Sequence, residues 1–178
     1  MIDPTARCPK WLISPIITRG GSISFYEYMD LVLNEPENGF YSTGKLKIGK
    51  DGDFCTSPSL SNDFARLLAI QVVEWFLNLE KAGLDSDLLS LVEFGPGEGS
   101  LSRDLIESIN EIAPALINKI ELVLVEVNIG MRKRQEKVVN SIKGVDCRWS
   151  SIEELILKPI TGVVIANEVL DAFPVERL

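Results

Sequence analysis

The stretch Leu91-Val92-Glu93-Phe94-Gly95-Pro96-Gly97-Glu98-Gly99-Ser100 decides how the rest of the chain is read. An apolar run ends in an acid, a Gly-x-Gly-x-Gly turn follows, and an amphipathic helix begins at once. Glycine tolerates positive φ and lets another molecule lie against the backbone. The helix N-terminus behind the turn presents unpaired N–H groups and the positive end of a dipole. A crevice of this kind, at the carboxyl end of a parallel strand, suits a nucleotide-like ligand.

Spacing narrows the choice of ligand. A dinucleotide fingerprint reads G-x-G-x-x-G, with an acid about 20 residues further on. Here the third glycine comes one residue early, at Gly99, and the acid that ends the next strand is Glu126. Glu93, directly before the turn, would repel a pyrophosphate. S-adenosylmethionine offers a cationic sulfonium, a ribose and an amino acid, and carries no phosphate. Glu126 is expected to accept from the ribose hydroxyls, and Glu93 to help anchor the amino-acid end through water or backbone. Gly95, Gly97 and Gly99 let the backbone cradle that end. Two alternatives stand beside this one: a tight strand-to-helix turn that holds no ligand, and a nicotinamide dehydrogenase, which Glu93 and the place of Gly99 disfavour.

Composition bounds the class. At 178 residues, 46% hydrophobic and 25% charged, the chain is sized for one globular domain, or one with an extension. No apolar run approaches the ~18 residues of a membrane span. Asp3, Arg7 and Lys10, with Pro4, Pro9 and Pro15, interrupt any secretory signal pattern, so a cytoplasmic location is expected. A net charge of −8 argues against general affinity for nucleic acid. Cys8, Cys55 and Cys147 lack metal-ligand spacing and read as reduced structural thiols. With no histidine in the sequence, Ser-His-Asp and Cys-His chemistry and histidine metal sites are excluded.

Residues 1–21 read as an irregular or single-turn arm ending at Gly20-Gly21. Ser24-Phe25-Tyr26-Glu27 is a capping-box pattern. Phe25, Tyr28, Met29, Val32 and Leu33 then repeat at helical spacing and read as a core face, closed by Pro36 and Gly39. A long loop rich in glycine, hydroxyls and acids runs from Gly39 to Pro58, the kind that forms a lid or binding loop. With Ser57 as N-cap and Pro58 in the first turn, one helix is expected to about Lys81, with Phe64, Leu67, Leu68, Val72, Trp75, Phe76 and Leu79 inward and Gly83 after its end.

From Leu88 the pattern alternates strand and helix: strands at Leu88–Phe94, Ile120–Val127, Val145–Trp149 and Gly162–Asn167, with a helix from Ser100 to about Ile112 that turns Leu101, Leu105, Ile109 and Ile112 inward, a helix that contains Met131–Gln135 and ends near Ile142-Lys143-Gly144, and a turn at Ser151–Leu157. The bases at Arg132, Lys133 and Arg134 read as a solvated helix face. Branched apolar strands separated by helices predict an α/β fold with a parallel, doubly covered sheet. A helical cap with its binding loop is expected over residues 1–85, and a Rossmann-like half domain over 86–178.

Taken together, these segments resemble the MidA-like family of S-adenosylmethionine-dependent methyltransferases. The matching pieces are Ile23-Ser24-Phe25 through Met29, Pro36-x-x-Gly39-Phe40-Tyr41, and Gly52-Asp53-Phe54-x-Thr56-Ser57-Pro58. They continue with Glu93-Phe94-Gly95-Pro96-Gly97-x-Gly99-x-Leu101, Val125-Glu126, Arg132-x-x-Gln135, and Ala166-Asn167-Glu168-x-x-Asp171-Ala172-x-Pro174. Ser59 stands where the family usually has an acid, and Ala65 where it has a glycine. The resemblance implies a class I methyltransferase sheet with an N-terminal helical cap. It also implies that the sheet is truncated after strand four, because family members are about twice this length. Mitochondrial members methylate an arginine on a core subunit of respiratory complex I, so a protein substrate with an arginine acceptor is implied.

Gly52–Pro58 resembles the family's donor-side loop, which implies that Thr56 and Ser57 hydrogen-bond the donor. With the donor seated at the glycine turn, residues 147–152 are expected to border the adenine, and Asn167 and Glu168, at the end of strand four, to face the methyl group and the acceptor nitrogen. Glu168, Asp171 and Asp53 are the candidate carboxylates for holding a guanidinium and helping its proton leave. Asn167 and Asp171 have a second reading as helix caps, and Ser57 as an N-cap alone. No metal is expected. A non-catalytic assembly protein that binds a respiratory-complex subunit is the alternative function. The unpaired edge of strand four is expected to favour self-association.

Overall fold

The computed structural model describes residues 8–49, 51–84 and 88–177. The beginning of the expected N-terminal arm, Lys50 in the glycine-rich loop, and the boundary expected after residue 85 lie outside the described residues.

Four parallel strands form one sheet: β1 (Leu89–Phe94), β2 (Ile120–Val125), β3 (Asp146–Ser150) and β4 (Gly162–Ala166), in the order β3-β2-β1-β4. The register places Glu93 opposite Leu124 on one side and Ile165 on the other. Because side chains alternate along a strand, Leu89 and Leu91 of β1 face the same way as Leu122, Leu124, Val163 and Ile165 and join the main core. Val92 faces the other way, into a smaller cluster with Val123 and Val125.

The main core is covered by α4 (Asp63–Lys81), α5 (Ser100–Ile112), α6 (Pro114–Ile117) and α7 (Ile129–Val139). Leu101, Leu105 and Ile109 of α5 are buried, as the periodicity predicts, whereas Ile112 at its end, expected inward with them, is exposed; Phe76 of α4 is fully enclosed. The opposite face is packed more lightly, by Leu155 of α8 (Ile152–Leu157) and by Ile160. Progress from β1 through β2 to β3 runs one way across the sheet, and β4 returns to the far side of β1. That reversal creates a switch point at the carboxyl ends of β1 and β4, where an open α/β sheet leaves a crevice.

Several local expectations are corrected. The arm contains a nine-residue helix, α1 (Lys10–Thr18), which carries Pro15 inside it and buries Leu12. Pro15 removes one interior N–H donor, but the ladder resumes where Arg19 donates to the Pro15 carbonyl. The capping box at Ser24 forms as expected and starts α2 (Phe25–Asn34). Its aromatic stripe is not core: no residue of α2 is buried, and Phe25 and Tyr28 stack on each other at 6.3 Å while remaining exposed.

The single helix expected after Pro58 is two. A four-residue α3 (Ser57–Leu60) stops at Ser61, whose extended backbone separates it from α4. The residue before α3 is Thr56, and Ser59 bonds back to both its N–H and its carbonyl, so Ser57 is inside the helix rather than its cap. On α4, Leu67 and Trp75 point outward, and the inward face uses Ala65, Ala69 and Val73 with Val72 and Phe76. Small residues there allow α4 to lie close to α5. Gly83 takes the expected left-handed conformation after the helix. β2 ends at Val125, which leaves Glu126 beyond the last rung of the ladder.

Candidate donor and acceptor cleft

β1 delivers Glu93 to the carboxyl end of the sheet, and the chain then turns sharply. Gly95 and Gly97 have φ of +57° and +54°, a region that side chains with a Cβ enter at a cost. Space is restricted as well as torsion. A Cβ at Gly95 would lie 3.1 Å from Val169, and one at Gly97 would lie 3.0 Å from Ile48. Gly99 donates to the Pro96 carbonyl at 2.7 Å and is the left-handed N-cap of α5. The turn is thus held between the segment after β4 and the loop that carries Ile48.

Two carboxylates stand beside it. Glu93 is buried and accepts from the hydroxyl of Ser102, itself fully buried on α5. Burial pushes the Glu93 carboxyl up to about 7, against the opposing pull of the Ser102 hydrogen bond. Glu126 is also buried, and burial raises its pKa, partly offset by hydrogen bonds from Asn128 and Gln135 and by the charge of Arg132. One carboxylate oxygen accepts from the Asn128 N–H at 2.9 Å and the other from the Gln135 amide at 3.0 Å, while Arg132 Nε donates to its backbone carbonyl at 2.7 Å.

The basic residues of α7 are therefore not simply a solvated face. Arg134 pairs with Glu98 in the glycine turn and donates to the Gly44 carbonyl at 3.1 Å. Backbone contact between Gly44 and Gly130 and a hydrogen bond from Ser42 to Asn128, 3.0 Å, pin the same loop to α7. Held in this way, residues 39–49 and 51–58 form a wall. Phe40 meets Tyr41 and Phe54 edge-to-face, with centroids at 5.4 and 5.7 Å, and an isolated bridge joins Ile48 to Phe54.

The remaining wall comes from the segment after β4. Glu168 has a φ of +51°, the one non-glycine positive φ among the described residues. Strain of this kind persists where the surroundings over-determine the backbone. Asp171 lies in a short 3-10 turn, Leu170–Ala172. Burial, and secondarily the Asp171 charge, raise the pKa of the Tyr41 phenol across the cleft.

The cleft is open on one side and has a volume of about 450 Å³. Thr56, Glu93, Gly95, Gly97, Glu126, Asn167, Glu168 and Asp171 all line it. Gly99 and Ser57 stand behind the wall. Asp53 also lies off it, its carboxylate accepting from the Lys47 N–H at 2.9 Å to close a turn. Of residues 147–152, only Ile152 reaches the cleft. Sequence reasoning placed Tyr41, Ile48 and Phe54 in a binding loop without naming them as site residues, and did not name Gln135 as one. Only the Arg132-x-x-Gln135 step carried a signal for the last of these. Among the described residues, no three acidic or thiol groups converge as a metal-ligand set.

A family described as "Putative S-adenosyl-L-methionine-dependent methyltransferase" matches residues 67–178, and the chain belongs to it. A Bos taurus protein named Protein arginine methyltransferase NDUFAF7, mitochondrial, is 38% identical over 61% of this chain and 24% of its own length. The Drosophila melanogaster homolog of that protein is 30% identical over 89% of this chain and 39% of its own. A crystal structure of a Burkholderia thailandensis protein bound to S-adenosyl-homocysteine superposes with a TM-score of 0.72 at 30% identity, covering 97% of this chain and 46% of that one. The chain thus spans less than half the length of these relatives. The four-stranded parallel sheet and its covering helices are the α/β fold that the resemblance implied.

Proposed function

We propose that this chain builds the donor-binding part of an S-adenosylmethionine-dependent protein methyltransferase with an arginine side chain as acceptor. The observation that carries the reading is the convergence, on one cleft, of the glycine turn, two buried carboxylates, and the strained acidic segment after β4. A ligand that combines a cationic centre, a ribose and no phosphate fits that lining. The size of the cleft lies within the range of small-molecule sites.

Bound S-adenosylmethionine supplies an electrophilic methyl group on a sulfonium, so the protein has mainly to position donor and acceptor. Glu126 accepts from the ribose hydroxyls, and the backbone of Gly95, Gly97 and Gly99 cradles the amino-acid end with Glu93 beside it. Thr56 hydrogen-bonds the donor from the opposite wall, with Ser57 supporting it through α3. Asn167 and Glu168 face the reacting groups. An arginine remains charged at neutral pH, so Glu168 and Asp171 hold the guanidinium and assist loss of its proton. Asp53, engaged with Lys47, keeps the 47–54 turn in place.

The arginine acceptor, a respiratory complex I-type subunit as its bearer, and a cytoplasmic location are finer parts of the same proposal. The names of the relatives cited above support the first, while those relatives are themselves named mitochondrial. The edge position of β4 supports self-association. Calorimetric titration of S-adenosylhomocysteine into the chain tests the donor site, with micromolar binding expected; absence of binding removes the proposal for this chain. Methyl transfer to an arginine-containing peptide by a full-length relative separates an enzyme from a non-catalytic assembly protein.

A further inference from the structure

Gln135 is fully buried on α7, behind the cleft rather than on its wall. Its amide nitrogen donates to the Gly97 carbonyl at 2.9 Å and to the Glu126 carboxylate at 3.0 Å, and its oxygen accepts from the Trp149 indole N–H at 2.8 Å. These partners allow only one orientation of the amide. An indole N–H can only donate, whereas a carbonyl and a carboxylate can only accept. Rotating the amide by half a turn would set acceptor against acceptor twice and donor against donor once, at a side chain with no exposed surface.

We propose that Gln135, locked by Trp149, is the positioning residue that sets the ribose-recognition geometry of the donor site, an inference that rests on the donor site proposed above. Gln135 acts on both sides of that site from one point. It takes one lone pair of Glu126 and, with the Asn128 N–H on the other carboxylate oxygen, holds that group in a single rotamer with acceptor capacity left toward the cleft. It also draws the Gly97 carbonyl toward α7. In a trans peptide the following N–H points the opposite way, so the Glu98 N–H is turned away from Gln135. The device links β3, α7, the glycine turn and the end of β2, four segments separated in sequence.

The test compares two ligands on three proteins: S-adenosylhomocysteine and its analogue lacking both ribose hydroxyls, titrated into wild type, Gln135→Met and Trp149→Phe. Wild type is expected to prefer the hydroxylated ligand by tenfold or more, on the order of one charge-assisted hydrogen bond. In Gln135→Met that preference falls about tenfold, and in Trp149→Phe it falls part of the way. Melting temperatures measured alongside separate stability from recognition, since a residue that only packs would lower the melting point and leave the preference intact. If Gln135→Met does not fold, Trp149→Phe, which leaves every cleft-lining residue in place, carries the test. An unchanged preference in the folded variants overturns the role of Gln135 while the donor site stands. Failure of wild type to bind either ligand overturns both.

Discussion

The Gln135 amide nitrogen lies 3.0 Å from the Glu126 carboxylate, so the acid just past β2 is held by a residue of α7 nine positions further along the chain. Glu126 is beyond the last rung of its strand, and without that bond the sheet alone would not fix its side chain.

Removing the acid or obstructing the turn tests the donor side. Glu126→Ala is expected to weaken S-adenosylhomocysteine binding by tenfold or more, through loss of a charged acceptor. Gly97→Val is expected to abolish binding and to cost about 1–2 kcal/mol of stability, since the new side chain must adopt a left-handed backbone against Ile48. Titration calorimetry reads the first effect and thermal melting the second; unchanged affinity in both variants would rule out this cleft as the donor site.

Glu93 makes stability depend on pH. Its folded pKa of about 7 lies above its ordinary value of 4.5, so between these values the folded state holds more protons than the unfolded one. Stability contributed by the neutral carboxyl is complete below about 4.5 and falls as pH rises through 7. The loss reaches at most about 3 kcal/mol. Glu93→Gln, which is neutral at every pH, is expected to flatten this part of the profile in urea denaturation between pH 5 and 8. A wild-type profile that rises across that window contradicts the assignment.

The strained backbone of Glu168 predicts opposed effects on stability and function. Glu168→Gly is expected to raise stability by about 1 kcal/mol, because glycine accepts a φ of +51° without a Cβ clash. The same change removes a carboxylate from the cleft wall and is expected to depress methyl transfer in a full-length relative carrying it. Loss of stability on this substitution would show that side-chain contacts of Glu168 outweigh the torsional strain.

Among the described strands β4 lies at an edge of the sheet, and Val164 within it is exposed, so concentration-dependent association of this chain is expected. Light scattering over a range of concentrations measures it. Val164→Lys should reduce the associated fraction, and a wild-type chain that stays monomeric at high concentration refutes the expectation.

Local pattern was enough to determine the alternation of the four strands with α5, α7 and α8, the capping box of α2 and the glycine turn, but not the short α6 between α5 and β2. Each depends on neighbours a few residues apart: alternation along a strand, 3.6-residue periodicity along a helix, or backbone torsions that only glycine accepts freely. The same signals misread α2, whose aromatic spacing matched a core face although no core lies against it, and joined α3 to α4 across Ser61. The cleft was legible in part. Glu93, Glu126 and the segment after β4 stood out as acids at strand ends, but Tyr41, Ile48 and Gln135 did not. Their places depend on Ser42 meeting Asn128, Arg134 meeting Gly44, and Gln135 meeting Trp149 across long stretches of chain. Such contacts exist only once the sheet order β3-β2-β1-β4 has brought the segments together, and no periodicity within a single segment encodes them.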